Sequence, residues 1–131
     1  MIFVDSNVPM YLVGGEHPNK QRARRLLEDA VVSSDRLVTD VAAFQEILHR
    51  YVAIDRRDAI QPAFDALEGI IDEVIPLTWD DAVKAKEIVL GSYGLSARDA
   101  LHLAVMERER IDAIMSFDAG FDRYPAVTRL A

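Results

Sequence analysis

The 131 residues are half apolar and 28% charged, with a net charge of −7 at pH 7, so we expect one soluble globular domain over residues 1–131. The absence of cysteine excludes disulfides and thiolate metal sites, and no apolar run approaches the ~20 residues that cross a bilayer. The acidic balance argues against a protein that coats nucleic acid, because phosphate binding normally requires a surplus of Lys and Arg. These features favour a cytoplasmic protein and leave metal-dependent chemistry open, since bound cations would neutralise an acidic site.

Predicted strands and helices alternate along the first part of the chain. MIFV at residues 1–4 is a short apolar strand, and RLVT at 36–39 is a second. Between them, after the Gly14–Gly15 turn and Pro18, residues 19–33 have the spacing of an amphipathic helix. The apolar face of that helix comprises Ala23, Leu26, Leu27, Ala30 and Val31.

Two further helices are expected between residues 40 and 71. Thr39 or Asp40 caps the first of them. Its apolar stripe comprises Phe44, Ile47, Leu48, Tyr51 and Val52. The second helix lies within residues 58–71, and its start is unsettled because Pro62 fits poorly inside a helix. Core packing explains these apolar stripes, although a groove for a partner would produce the same pattern.

The second half of the chain continues the alternation. EVIPLT at 73–78 is a third strand, and WDDAVKAKEIVL at 79–90 is a helix. Ser96 is the expected N-cap of the helix SARDALHLAVMERER, DAIMSF at 112–117 is a fourth strand, and PAVTRL at 125–130 is a candidate fifth. Short apolar strands that alternate with helices predict an α/β domain with a mostly parallel sheet of four to five strands, covered on both faces.

Acidic residues follow two of the predicted strands. Asp5 ends strand MIFV, Asp118 ends AIMSF, and Asp99 lies in the first turn of the helix after Ser96. Because ligands bind beyond the carboxyl ends of the strands in open parallel sheets, these three carboxylates are candidates for one shared site. Helix capping is the competing interpretation: Asp5 would cap the next helix, and Ser96 with Asp99 fits a capping box.

Glu46 carries a weaker signal. At about 100° per residue it falls nearly opposite the apolar stripe of its helix, so periodicity predicts a surface glutamate paired with Arg50. However, Ala42 and Ala43 flank its face and would allow a close approach to other groups. The spacing alone leaves both interpretations open.

Four segments together resemble a known family: FVDSN near the start, FQEIL, LSARDALHLAVM and the terminal SFDAGFD. In this order and spacing they look like a PIN-domain nuclease, and more narrowly like the VapC toxin of a VapBC-type toxin–antitoxin pair. The resemblance implies a three-layer α/β/α fold with metal-binding acids at Asp5, Glu46, Asp99 and Asp118. It also implies an accessory acid and two supporting residues: Asp122, Asn7 and Ser116.

The same resemblance implies a cofactor and partners. The substrate would be RNA, cut by an endoribonuclease that depends on Mg²⁺ or Mn²⁺, and the protein would be a homodimer. A cognate VapB-type antitoxin would block the site and tie the toxin to operator DNA. Composition by itself implies none of these partners.

Clustered carboxylates would need a cation. Two like charges about 4 Å apart repel by about 4 kcal/mol at an effective dielectric of about 20, so they must take up protons or bind an ion. Oxygen donors without cysteine favour Mg²⁺ or Mn²⁺, and water acidified by such an ion can attack a phosphodiester. We expect Asp5, Asp99 and Asp118 to hold the ion and Glu46 to orient or deprotonate the water. Hydrolysis by water predicts 5′-phosphate and 3′-hydroxyl ends.

Histidines offer a metal-free alternative, in which two of them act as general acid and base on RNA. His17, His49 and His102 lie in different predicted elements, so structural roles are favoured for them. Arg98, beside Asp99, would meet either a substrate phosphate or a neighbouring acid.

Other classes fit the sequence less well. A response-regulator receiver needs a lysine at a late strand end, and the last lysine here is Lys86. A haloacid-dehalogenase phosphatase needs a second aspartate where Asn7 stands, and a dinucleotide-binding fold needs a glycine-rich turn that FVDSN lacks. The remaining alternative is a PIN-like module that binds RNA or protein without cutting, which the full set of acids disfavours.

Overall fold

The computed structural model describes residues 1–131, and its centre is a five-stranded sheet in the order β3-β2-β1-β4-β5. The strands are β1 (Ile2–Val4), β2 (Leu37–Asp40), β3 (Glu73–Ile75), β4 (Ala113–Met115) and β5 (Thr128–Leu130). Every neighbouring pair is parallel. The predicted parallel sheet is confirmed. Because β1 is central, residues that follow β1, β2 and β4 emerge side by side at one edge.

Six helices connect the strands: α1 (Asn7–Val13), α2 (Pro18–Val32), α3 (Val41–Ala53), α4 (Ile60–Ile70), α5 (Trp79–Leu90) and α6 (Ala97–Arg108). Short 3₁₀ turns span Arg57–Ala59 and Ala119–Arg123. Helix α1 was not predicted, because a helix of two turns gives no readable period. Pro62 lies in the first turn of α4, where no intrahelical N–H is required, so it does not break that helix.

Helices cover both faces of the sheet. Side chains alternate along β1, so that Phe3 packs in one core with α5 and α6, whereas Ile2 and Val4 pack in a second core with α1 to α4. This arrangement confirms the three-layer α/β/α architecture. None of the helices has the length and apolar character needed to cross a membrane.

The buried face of α3 differs from the predicted stripe. Leu48 and Val52 are 41% and 44% exposed, so their assignment to the core was wrong. The buried residues of this helix are Ala42, Ala43, Ile47 and Tyr51. Two alanines let the start of α3 pack closely under the sheet edge. At about 100° per residue, Glu46 falls between these alanines on the helix surface and therefore borders the buried face.

The remaining apolar faces follow core packing. In α2, Ala23 and Ala30 are buried as predicted, but Val31 is 75% exposed and lies off the packed face. Between α3 and α4, Phe44 packs on Phe64 with ring centroids 4.9 Å apart. Apart from Leu48 and Val52, the apolar stripes of the helices within 40–71 thus pack against each other and the sheet.

Candidate active site

Asp5 lies at the end of β1 and is only 4% exposed. Its Oδ1 accepts a hydrogen bond from the backbone N–H of Ser6 at 2.7 Å, and its Oδ2 accepts one from Oγ of Ser116 at 2.6 Å. The N-cap of α1 is Ser6, and no side chain caps this helix. The capping interpretation of Asp5 is therefore wrong, and its carboxylate belongs to the sheet edge.

Ser116 and Asn7 link the first aspartate to the last. Ser116 is fully buried, and its Oγ accepts hydrogen bonds from the backbone N–H of Asp118 at 3.0 Å and from Nδ2 of Asn7 at 3.2 Å. Asn7 Nδ2 also lies 3.3 Å from Oδ2 of Asp5, and its Oδ1 accepts from the N–H of Phe117 at 3.3 Å. These contacts fix the end of β1 against the end of β4.

Asp99 and Asp118 converge at the same edge. A Cβ placed on Gly120 would stand 3.0 Å from Oδ1 of Asp118 and 3.7 Å from Oδ2 of Asp99. The N–H of Gly120 donates to Oδ1 of Asp118 at 2.8 Å, so the glycine backbone holds one carboxylate while leaving room for the other. The start of α6 thereby meets the end of β4.

Ser96 caps α6 as predicted, by accepting a hydrogen bond from the N–H of Asp99 at 3.1 Å. In a complete capping box the acidic side chain returns a bond to the N–H of the cap residue. Helix α5 has such a box, in which Oδ2 of Asp81 accepts from the N–H of Thr78 at 2.9 Å. The Asp99 carboxylate accepts no hydrogen bond from the N–H of Ser96. Helix capping therefore accounts for the backbone N–H of Asp99 but not for the position of its carboxylate.

Crowding changes the acidity of these groups. Burial and, after it, the charges of Asp118 and Asp5 raise the pKa of Asp99 to about 7. Burial also raises the pKa of Asp5, against the opposing effect of the His102 charge. The carboxyl groups of Asp5 and Asp99 therefore resist full ionisation at neutral pH unless a bound cation replaces their protons.

Glu46 is not the surface partner of Arg50 that helical periodicity predicted. Its side chain is 12% exposed and reaches the same edge. Oε2 accepts a hydrogen bond from Oγ of Ser6 at 2.6 Å, and Oε1 accepts one from Nε2 of His102 at 2.8 Å. Burial by itself would raise the pKa of Glu46, but these hydrogen bonds and the charges of His102 and Arg98 outweigh burial and lower it.

His102 is the part of the site that sequence reasoning missed. It is fully buried, with Nδ1 2.8 Å from Oδ2 of Asp40 and Nε2 2.8 Å from Oε1 of Glu46 and 3.7 Å from Oδ1 of Asp5. Burial by itself would lower its pKa, but the three carboxylates outweigh burial and raise the pKa well above its usual value. Asp40 also caps α3 through the N–H of Ala43 at 3.0 Å, so the predicted cap has a second role.

Known proteins resemble this chain in both sequence and fold. The PIN domain family matches residues 2–127 of the chain. Ribonuclease VapC13 of Mycobacterium tuberculosis is 59% identical over 131 residues, which is all of both chains. The chain belongs to the PIN-domain family, in its VapC branch.

Solved structures agree with the fold of this PIN domain. VapC20 of Mycobacterium tuberculosis, described as a toxin that cleaves the sarcin–ricin loop, has a TM-score of 0.77 and 22% identity over 95% of each chain. VapBC2 from Rickettsia felis, solved with a DNA fragment from its promoter, has a TM-score of 0.72 and 16% identity over 99% of this chain and 98% of that one. At these identities the likeness supports the fold alone.

Asp122 and two of the three histidines lie away from the sheet edge where the acidic residues meet. Asp122 forms a bidentate ion pair with Arg129, whose Nε and Nη2 donate to its two oxygens at 2.9 and 3.0 Å. His17 caps α2 by accepting from the N–H of Asn19 at 3.0 Å, and His49 is exposed. Because His102 is buried between carboxylates, no pair of histidines meets at the edge of this PIN domain, and a metal-free histidine mechanism has no geometric support.

The donor set fits a hard divalent cation. We call Asp5, Glu46, Asp99 and Asp118 the acidic centre. One ligand atom each from Asp5, Glu46 and His102 lies within 4.8 Å of the others. A histidine that donates from both ring nitrogens has no lone pair left for a metal, so the available donors are carboxylate oxygens. Such donors suit Mg²⁺ or Mn²⁺.

Proposed function

We propose that this PIN domain is a Mg²⁺- or Mn²⁺-dependent endoribonuclease, the toxin of a type II toxin–antitoxin pair. The observation that carries the proposal is the convergence of Asp5, Asp99 and Asp118 at one sheet edge, where crowding raises the pKa of Asp99 to about 7. A site of this charge and geometry is suited to a divalent cation. The 59% identity to a protein named a ribonuclease supports RNA as the substrate.

Each acid has a separate role in this proposal. Asp5, Asp99 and Asp118 would hold the ion, which supplies an acidified water and neutralises charge on the phosphodiester. Glu46 orients the attacking water rather than deprotonating it, because two hydrogen bonds occupy its oxygens and its pKa is lowered. Ser116 and Asn7 position Asp5 and Asp118, while His102 positions Glu46. Asp122 is left out because Arg129 binds it.

The toxin assignment brings partners with it. We propose a cytoplasmic homodimer whose site a VapB-type antitoxin covers, with operator DNA contacted only through that antitoxin. Exposed apolar side chains support protein contacts along α5, where Trp79 and Leu90 are 80% and 78% exposed. The Rickettsia felis complex, which was solved with promoter DNA, is the precedent for an operator contact.

The test is cleavage of total RNA by purified protein with Mg²⁺ or Mn²⁺, with and without EDTA. We expect discrete fragments with 5′-phosphate and 3′-hydroxyl ends, and a loss of at least about a hundredfold in Asp5→Ala and Asp118→Asn. Asp122→Asn is the matched control, since this acid follows Asp118 closely in the chain but pairs with Arg129.

Three results would contradict the proposal. Fragments that carry a 2′,3′-cyclic phosphate would indicate attack by the RNA itself instead of water. Cleavage that survives EDTA would show that the reaction does not require a divalent metal ion. Binding of RNA without any cleavage would favour a non-catalytic PIN-like module.

A further inference from the structure

A cavity of about 400 Å³ is lined by Asn7, which contacts Asp5 of the acidic centre. Part of its lining comes from α1 and the C-cap residue after it, at helical spacing: Asn7, Met10, Tyr11 and Gly14. Arg50 and Tyr51 of α3 and the loop residues Gly15, Glu16 and His17 complete the lining. This volume falls within the range of about 300–1,000 Å³ that is typical of small-molecule sites.

The cavity is linked to the acidic centre by a shared neighbour, Asn7, and by helix α3. Asn7 lines the cavity and also hydrogen-bonds Asp5, while Arg50 follows Glu46 by one turn of α3. A helix rises about 5.4 Å per turn. Because Asn7 borders both the cavity and Asp5, the cavity lies where a nucleotide next to the cleaved bond would extend.

The chemistry of the walls favours a nucleobase over a phosphate. Tyr11 and His17 form an aromatic pair with ring centroids 4.8 Å apart, and Tyr11 also contacts Phe117, beside Asp118, at 5.2 Å. Arg50 has no acidic partner, so its guanidinium is available as a donor, and Glu16 provides an acceptor. The lining carries one cation, Arg50, and one acid, Glu16, and the nearby ammonium of Lys20 is engaged by the carbonyl of Gly14. Aromatic rings with a donor and an acceptor suit a base.

The cavity is preformed by its own hydrogen bonds. The N–H of Gly14 donates to the carbonyl of Met10 at 3.1 Å, and Nζ of Lys20 donates to the carbonyl of Gly14 at 2.9 Å. Nδ1 of His17 is held by the N–H of Asn19 at 3.0 Å, which fixes its ring. A site held in this way loses little freedom when a base enters it.

We infer that this cavity is a base-binding subsite for a single-stranded RNA nucleotide next to the cleaved bond. Tyr11 and His17 supply the stacking surface, and Arg50 with Glu16 supplies hydrogen bonds to the base edge. The inference rests on the proposed nuclease function, because it places the cavity on the path of the substrate.

The first test needs neither metal nor phosphate. Adenosine, cytidine, guanosine and uridine are titrated into the protein in EDTA, and the ring resonances of Tyr11 and His17 are followed by NMR. We expect saturable shifts with at least one nucleoside, and loss of the shift at the His17 ring in Tyr11→Leu. Tyr93→Leu is the matched control, because Tyr93 also belongs to an aromatic pair, with Tyr124 at 5.0 Å, and neither ring lines the cavity. Shifts with no nucleoside, or shifts unchanged in Tyr11→Leu, would overturn the inference.

The second test uses random-sequence RNA with Mn²⁺ and sequencing of the cleaved ends. Tyr11→Leu and Arg50→Gln should erase the base preference at one position beside the cut. Tyr11→Leu should also lower kcat/KM about tenfold, since the stacking of one base corresponds to roughly a five- to hundredfold effect. Arg24→Gln, at an exposed arginine of α2, serves as the charge control. Thermal unfolding checks that each variant folds. If Tyr11→Leu does not fold, Arg50→Gln alone still tests the inference.

The two tests separate the two proposals. Cleavage by the unmutated protein with a base preference that both variants keep would overturn the base subsite and leave the nuclease standing. Nucleoside binding without any metal-dependent cleavage would overturn the nuclease proposal and leave the base-binding site standing. Variants that cut RNA normally but no longer bind the antitoxin would reassign the cavity to a protein contact.

Discussion

Nε2 of His102 donates a hydrogen bond to Oε1 of Glu46 at 2.8 Å, from a ring that is fully buried under the acidic centre. The other ring nitrogen meets Asp40 at the same distance. The imidazolium is therefore a built-in counter-charge that holds Glu46 in place and bridges α6 to the start of α3. Its position links the stability of the fold to the arrangement of the site.

Replacing this histidine should destabilise the protein strongly. His102→Gln would leave buried carboxylates without their cation, and breaking a buried pair in this way costs about 3–5 kcal/mol. Urea unfolding measures the change, with His49→Gln as the control at an exposed histidine, expected to lie within about 0.5 kcal/mol of the unmutated protein. A loss below about 1 kcal/mol in His102→Gln would mean that the charged network contributes little.

Asp99 should make the metal-free protein less stable as pH rises. Its folded pKa of about 7 exceeds its ordinary value, so the folded state holds a proton that the unfolded chain releases near 3.8. The stability associated with this proton is complete below pH 3.8 and is lost as pH rises through about 7. In EDTA at pH 8 or so, Asp99→Asn should be more stable by about 1–2 kcal/mol, after allowance for partial solvent screening, or a few degrees in Tm. Equal Tm values for the two proteins at that pH would contradict the raised pKa.

Metal affinity should rise with pH, whereas the stability of the metal-free protein should fall. Protons and cations compete for the same carboxylates, so Mn²⁺ binding should strengthen as pH rises toward about 7 and then level off. Below that pH the affinity should fall by up to about tenfold per pH unit for each proton displaced. Titration of free Mn²⁺ by its EPR signal at several pH values measures this directly. An affinity that does not change between pH 5 and 8 or so would show that no titrating acid binds the ion.

Two aspartates with the same local motif should respond in opposite ways. Asp81 completes the capping box with Thr78 and accepts two hydrogen bonds from Arg108 at 2.8 and 2.9 Å. Asp81→Asn should therefore cost about 1–3 kcal/mol and leave cleavage unchanged. Asp99→Asn should stabilise the metal-free protein and abolish cleavage. Parallel measurements of unfolding and RNA cleavage on both variants decide whether the half-formed box at Asp99 marks a functional residue.

This pair also illustrates what the sequence can and cannot predict. Thr78-x-x-Asp81 and Ser96-x-x-Asp99 are indistinguishable as patterns, and only the packing of α6 against β4 separates their roles. The strands were predictable because short apolar runs bounded by polar residues have few alternatives. Their shared carboxyl-terminal edge then placed Asp5 and Asp118 together without knowledge of the contacts.

Glu46 and His102 were not predictable in the same way. The wheel of α3 misled because its buried face is built on Ala42 and Ala43, whose small side chains carry little hydrophobic signal, whereas Leu48 is exposed. Sequence spacing favoured only a structural role for His102, because its contacts are with two carboxylates from a different part of the chain, Asp40 and Glu46. Long-range polar contacts of this kind leave no period in a sequence.

The central claim is that folding gathers separate carboxylates into one divalent-cation site, and calorimetric titration of Mn²⁺ into the metal-free protein tests it most directly. At a pH above 7, where Asp99 is ionised, we expect saturable binding that Asp5→Asn and Asp118→Asn abolish and that Asp122→Asn retains. Absence of saturable binding, or binding that survives in Asp5→Asn, would contradict the account.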